Sequence, residues 1–247
     1  MSRTVFLISG SDARKFLQGL VTNDVEKIDT GLVYAAFLTP QGKFLADFML
    51  SAHPDGILLD VDTDHAPVLI QRLSMYKLRS QVEITETDIK VRRGTGPAPE
   101  GALADPRHEA LGWRQYGLEA GDDGSDFDAI RVAHCIPKAG VELTPDSYIL
   151  EAGFERLNGV DFKKGCYIGQ EVTARMKHKT KLRKGFVTVS LDGEAELGTE
   201  IIANGKPAGT IYTQTAQKAI AFLRFDRASE EMDAAGVKVF HTVEEQV

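Results

Sequence analysis

The sequence predicts an α+β protein: a mixed body built on antiparallel strands, followed by a small β-barrel. Three observations carry that reading. Helical and strand-like segments alternate in the first 182 residues without a strict βαβ rhythm, which favours antiparallel pairing over a doubly wound sheet. Turn-rich pairs of residues join neighbouring β-rich runs, as hairpins require. From about Arg183 onward the chain becomes a regular series of short strands with tight turns. The expected boundary places the α+β body at 1–182 and the barrel at 183–247.

Along the chain, Val5 to Ile8 reads as a strand. Ser11 and Asp12 then offer helix-capping side chains before Ala13, Phe16, Leu17 and Leu20 at helical spacing. Val33 to Leu38 and Phe44 to Leu50 flank the turn Thr39-Pro40-Gln41-Gly42-Lys43 and predict a hairpin. His53 to Gly56 is a second turn, followed by a strand at 57–62. Ala66 to Leu78 suits a helix, with Pro67 tolerated near its start and Leu69, Leu73 and Tyr76 on one side. Strand character returns at Val82, Ile84, Ile89 and Val91. Three prolines and three glycines between Gly94 and Pro106 predict a loop, and Phe127 to His134 a short helix. Val172 to His178 is a further helix. The barrel strands are expected at 186–191, 200–203, 210–213 and 219–225, with Asn204-Gly205 as a strong hairpin signal.

Composition sets the broad class. The 247 residues are 43% hydrophobic and 26% charged, enough to build a core and remain dissolved. A net charge of −7 argues against bulk adhesion to nucleic acid or to an anionic membrane. The longest apolar runs are strand-sized, so no membrane partner is expected. The N-terminus has one basic residue and a short β-like run ending at Gly10, with no export address, and cytoplasmic residence is the expectation. Cys135 and Cys166, the two cysteines, fit a reducing compartment. Alone they cannot build a four-ligand cluster site, and no resident metal site is expected. No phosphate-binding loop or G-x-G-x-x-G fingerprint is present.

The chemistry concentrates in Lys164-Gly165-Cys166-Tyr167-Ile168-Gly169-Gln170-Glu171. Gly165 and Gly169 permit backbone conformations that side chains forbid, predicting a tight turn around the cysteine. The helix that follows, with Lys163 and Lys164 alongside, favours a thiolate, the nucleophilic and metal-binding form. An arbitrary cysteine is more often a small buried hydrophobe.

This octapeptide resembles the signature of the YgfZ family, whose mitochondrial relatives act late in iron–sulfur assembly. Phe16-Leu17-Gln18-Gly19-Leu20-Val21-Thr22-Asn23-Asp24-Val25, Gly42 to Asp47 and Tyr76 to Val82 are similar to segments of the same superfamily, which includes the aminomethyltransferase (T-protein) of the glycine cleavage system. The resemblance implies a cloverleaf-like folate-binding body with a C-terminal barrel and a tetrahydrofolate-type ligand. It also implies a role in maturing or repairing [4Fe–4S] enzymes, including radical enzymes of tRNA modification, through assembly or client proteins and transient contact with a cluster. Cys166 is then the functional cysteine. Asp47 is a candidate acceptor for a pterin N–H, and Arg79 a candidate partner for a ligand carboxylate. Asn23 either touches ligand or satisfies backbone groups at a helix end.

The match is incomplete. Where the transferase holds its pterin with a glutamate, the spacing puts Lys138, while Leu150-Glu151-Ala152-Gly153 matches only the letters. This disfavours the alternative of a folate-dependent aminomethyl or one-carbon transferase, an enzyme proper. A folate-binding regulator is a third reading. Arg175, Lys177, His178, Lys179, Lys181, Arg183 and Lys184 form a basic run, read either as a solvated face or as a seat for polyglutamated folate, an acidic protein surface or RNA. Without interleaved aromatics, direct nucleic-acid binding is the weakest of these.

Overall fold

The computed structural model describes residues 2–179 and 181–241 and divides the chain into two compact units. The first comprises Met1–Ser125, Pro145–Ile149 and Phe154–Arg175, the second Asp126–Thr144, Leu150–Gly153 and Met176–Val247. Segments of the first 182 residues are thus interleaved between the units, where the sequence reading drew a single cut. The last six residues of the expected barrel domain lie outside the described residues.

In the first unit, β1 (Arg3–Ser9), α1 (Ala13–Gln18), β2 (Val33–Leu38), β3 (Phe44–His53), β4 (Gly56–Asp62), α2 (Ala66–Lys77) and β5 (Glu83–Glu86) follow in order. The strands form an antiparallel sheet of order β2-β3-β4-β1-β5. Side chains alternate between its faces. One face carries Phe6, Ile8, Val33, Ala35, Phe37, Ala46, Phe48, Leu50, Ile57, Leu59 and Val61, packed with Phe16 and Leu17 of α1 and Leu69 and Leu73 of α2. Full burial of each such large side chain contributes about 1.5–3 kcal/mol. The expected Asp12 cap is not made at α1; the Asp12 carboxylate accepts instead from the Gln81 N–H, 2.8 Å away.

The opposite face carries Val5, Tyr34, Asp47, Met49, Leu58 and Asp60, because Ala36 pairs with Asp47, Tyr34 with Met49 and Met49 with Asp60. Both faces of β2 are therefore buried, and all six of its residues are inaccessible.

A second sheet, of order β7-β8-β6-β9, comprises β6 (Lys90–Gly94), β7 (Leu103–Ala104), β8 (Trp113–Gly117) and β9 (Gly121–Asp122). β7 falls inside the predicted loop, while β8 and β9 had no sequence signal because both are short and rich in polar residues. Arg114 of β8 is 2% exposed and donates to Asp60 at 3.1 Å and to Asp105 at 3.0 Å. Asp60 also accepts from Arg3 and from the Tyr116 hydroxyl, and Asp105 from Arg107 at 2.7 Å. Burial alone would raise the Asp60 carboxyl, but Arg3 and Arg114 outweigh it and hold it below the usual carboxylate range.

The second unit opens with α3 (Phe127–Ala133) and closes with β10 (Lys184–Leu191), β11 (Glu200–Ala203), β12 (Lys206–Thr215), β13 (Lys218–Arg224), β14 (Glu231–Ala234) and β15 (Val237–Phe240). These six strands form a closed barrel of order β10-β13-β12-β11-β14-β15. Its interior alternates Val189 and Leu191, then Ala219, Ala221 and Leu223, the small residues suiting a narrow barrel. Asn204 and Gly205 have φ of 51° and 72°, the left-handed pair the hairpin signal predicts. Ala235 and Gly236 make a second such turn at φ 54° and 92°, invisible in the sequence because alanine rarely takes the first place. Arg131 and Glu142 pair at 3.1 Å, both nearly inaccessible, and the Glu142 carboxylate also accepts from the Lys138 and Thr213 backbone N–H groups. Lys138 therefore sits beside a buried acid, while Glu151 lies 3.6 Å from Lys184.

Candidate functional site

The octapeptide runs from a loop into α4 (Gln170–Lys179). Cys166 is exposed, whereas Tyr167 is buried and Ile168 packs against the core of the first unit. The loop is fastened on both sides of the cysteine. Upstream, the Asp161 carboxylate accepts from the backbone N–H groups of Lys163 and Lys164, and Lys27 holds its other oxygen at 2.7 Å. The Lys164 ammonium donates to the carbonyls of Gln18 and Val21, at 2.7 and 2.6 Å. Downstream, the Gln170 side chain accepts from the Tyr167 N–H at 3.2 Å. Glu171 stands exposed in the first turn of α4, where a carboxylate complements the helix dipole.

The two glycines of the signature do different things. Gly169 has φ +81°, and a Cβ there would lie 2.6 Å from the Thr39 carbonyl oxygen and 3.0 Å from the Gly42 Cα. Only glycine lets this segment settle on the turn between β2 and β3. A Cβ on Gly165 meets nothing within 4 Å, and its φ lies outside the left-handed range. Gly165 therefore corrects the expectation of a forced turn: it leaves open space beside the thiol.

The lysines also depart from expectation. Lys164 spends its charge on two carbonyls at the end of α1 and is itself pushed down to about 8 by burial, against the pull of Asp24 and Asp161. Lys163 is exposed.

The structure joins two of the resembling segments. Beyond Lys164, Thr22 donates to the Gly159 carbonyl at 2.7 Å, and the Asp161 N–H donates to the Thr22 carbonyl at 3.0 Å. Asn23 is 5% exposed; its amide donates to the carbonyls of Tyr34 and Asn158, and its oxygen accepts from the Asp24 N–H. Asn23 thus ties backbone groups together, but those its amide reaches lie on β2 and in the turn at Asn158 and not at a helix end. Phe16 to Val25 is the seat of the cysteine loop.

Asp47 is half-buried and accepts from the Tyr34 hydroxyl at 2.8 Å. Burial, reinforced by the Asp47 charge, pushes the Tyr34 phenol well up, so it remains a donor. Tyr34 stacks on Phe154 at 5.0 Å, and Arg107 lies 5.4 Å from its ring centroid. Gly159 is required here, since a Cβ would come within 2.5 Å of Phe154 and 2.9 Å of Tyr34. The sequence reading missed Tyr34, Phe154 and Arg107; the spacing of Tyr34 and Ala36 opposite Asp47 was the available signal for the first. Arg79 is exposed beyond the end of α2, which covers the face opposite the one from which Asp47 projects. Sheet alternation separates the two, so they do not form one ligand-binding pair.

Residues 183–247 match the family model of the CAF17 C-terminal β-barrel domain. The mitochondrial iron–sulfur cluster assembly factor IBA57 homolog of Mycosarcoma maydis is 35% identical over 223 residues, spanning 76% of this chain and 55% of that protein. Mouse mitochondrial IBA57 is 31% identical over 258 residues, 87% of this chain and 70% of the mouse protein.

The chain belongs to the IBA57 family.

Human IBA57 is 28% identical over 267 residues, 90% of this chain and 75% of the human protein. The chain spans about half the length of the fungal family members it matches. The aminomethyltransferase T of the Bartonella henselae glycine cleavage system superposes with a TM-score of 0.76 over 98% of this chain and 83% of that one, at 12% identity. This establishes the aminomethyltransferase fold with its C-terminal barrel. The expectation of a cytoplasmic protein is corrected: these IBA57 relatives are mitochondrial, and they point to mitochondria. A short basic-poor N-terminus was too little to read an address from.

Proposed function

We propose that this chain is a YgfZ-type factor of iron–sulfur cluster assembly, in which Cys166 meets the cluster and Asp47 contacts a tetrahydrofolate-type ligand. The observation that carries the proposal is the exposure of Cys166 on a loop anchored on both sides. Packing has no use for a thiol in solvent, whereas a soft sulfur ligand on a rigid support suits iron. A [4Fe–4S] cluster takes about four thiolate ligands. Cys166 supplies one, so the cluster is cargo shared with an assembly or client protein that supplies the others. Family membership supports the same role, and radical enzymes of tRNA modification are the clients the signature implies. The open space at Gly165 leaves room for a partner to approach the sulfur.

For folate, the residues present fit at one point. An ionised carboxylate offers about four lone-pair sites, and the Tyr34 hydroxyl occupies one on Asp47. The remainder suit a ring N–H or amino group of a pterin, which when bound would supply a one-carbon carrier. Tyr34, gripped by Phe154 and Arg107, fixes the orientation of that carboxylate.

The role is tested by deleting the gene and assaying [4Fe–4S] enzymes. Activity is expected to fall and to return when the wild-type chain is supplied. Unaltered activity in the deletion strain would refute the assignment.

A further inference from the structure

The first unit also carries a cationic cavity that the cysteine site does not use. Arg3 of β1, Lys90 and Arg93 of β6, Arg114 of β8, and Gly121 and Asp122 of β9 line a volume of about 400 Å³. Small-ligand sites typically measure about 300–1,000 Å³. Two buried carboxylates, Asp60 and Asp105, are shared among the three guanidinium groups of Arg3, Arg107 and Arg114. Arg93 and Lys90 add two more cations. The parallel pairing of β6 with β9 sets Asp122 beside Arg93, and their charged groups stand 3.7 Å apart. Burial, together with repulsion from Arg114, Arg107 and Arg3, pushes the Arg93 guanidinium down to about 10. Like charges crowded around a hollow raise the local concentration of anions.

We propose that this cavity binds a small phosphate-type dianion, with Arg93 and Lys90 as direct contacts and Arg3 and Arg114 supplying the field. A guanidinium fork suits two phosphate oxygens, and a Cβ built on Gly121 meets nothing within 4 Å, so that stretch of the lining is uncrowded. Asp122 competes with the anion for Arg93. Neutralising it strengthens binding.

Calorimetry at low salt with inorganic phosphate and with glycerol 3-phosphate tests this. Saturable binding is expected, weakened about tenfold or more by Arg93→Gln and strengthened by Asp122→Asn. Tighter binding of the ester identifies a phosphorylated metabolite as the ligand, and tighter binding of inorganic phosphate identifies the free ion. Lys90→Gln, at an exposed position, provides the same reading if Arg93→Gln folds poorly. Absence of saturable binding by the wild-type protein, or equal affinity in the glutamine variants, would overturn the proposal.

Discussion

The Lys164 ammonium lies 2.6 Å from the Val21 carbonyl oxygen, so the lysine of the cysteine signature is a clamp on the end of α1. Lys164→Met leaves the Gln18 and Val21 carbonyls without their donor and is expected to destabilise the first unit by about 1–3 kcal/mol. The loss has a pH signature. Folding lowers Lys164 from 10.5 to about 8. Between those values the unfolded chain keeps a proton that the folded chain has lost, so this group adds stability as pH rises. Urea melts at pH 7.5 and at about pH 10 should show the margin of wild type over Lys164→Met widening at the higher pH. A constant margin would mean that folding leaves the Lys164 ammonium unshifted; an unchanged melt for Lys164→Met at both pH values would contradict the clamp.

The two glycines of the signature give opposite expectations. Gly169→Ala forces a left-handed residue, costing about 1–2 kcal/mol before the approach to the Thr39 carbonyl is counted. Gly165→Ala meets open space and should change stability by less than about 0.5 kcal/mol. Thermal melts of the two variants separate them. Equal destabilisation would mean that Gly165 carries a backbone constraint absent from this structure.

Asp47 carries the ligand expectation. Calorimetry with tetrahydrofolate should show binding to the wild-type protein, and Asp47→Ala should weaken it by about 1.5–3 kcal/mol, roughly tenfold to a hundredfold. Unchanged affinity in the variant would exclude Asp47 from recognition.

Much of this architecture was legible because it is written in local periodicity. β1 to β4, α2 and the first four barrel strands follow from alternation or helical spacing, and Asn204-Gly205 marks its own turn. What escaped depends on distant partners. β8 reads as W-R-Q-Y-G, and nothing local reveals that Arg114 is buried; Asp60 and Asp105, 54 and nine residues away, make it so. Gly94 to Pro106 reads as a loop, yet the residues just after it deliver Arg107 to the ring of Tyr34. At the site, Cys166 was visible from its motif. The roles of its neighbours were not, because Lys164 answers to carbonyls 143 and 146 residues away in the chain. Arg79 is exposed beyond α2, which packs on the sheet face opposite Asp47, a separation that local sequence does not reveal.

The central claim is that Cys166 acts through its sulfur. Cys166→Ser nearly preserves size, and at an exposed position it should leave the melting temperature unchanged. The decisive measurement is [4Fe–4S] enzyme activity in a deletion strain supplied with either the wild-type chain or Cys166→Ser at equal abundance. The account predicts recovery with wild type and none with the serine variant, because a hydroxyl is too hard and too weakly acidic to ligate iron in place of a thiolate. Full recovery with Cys166→Ser would contradict it.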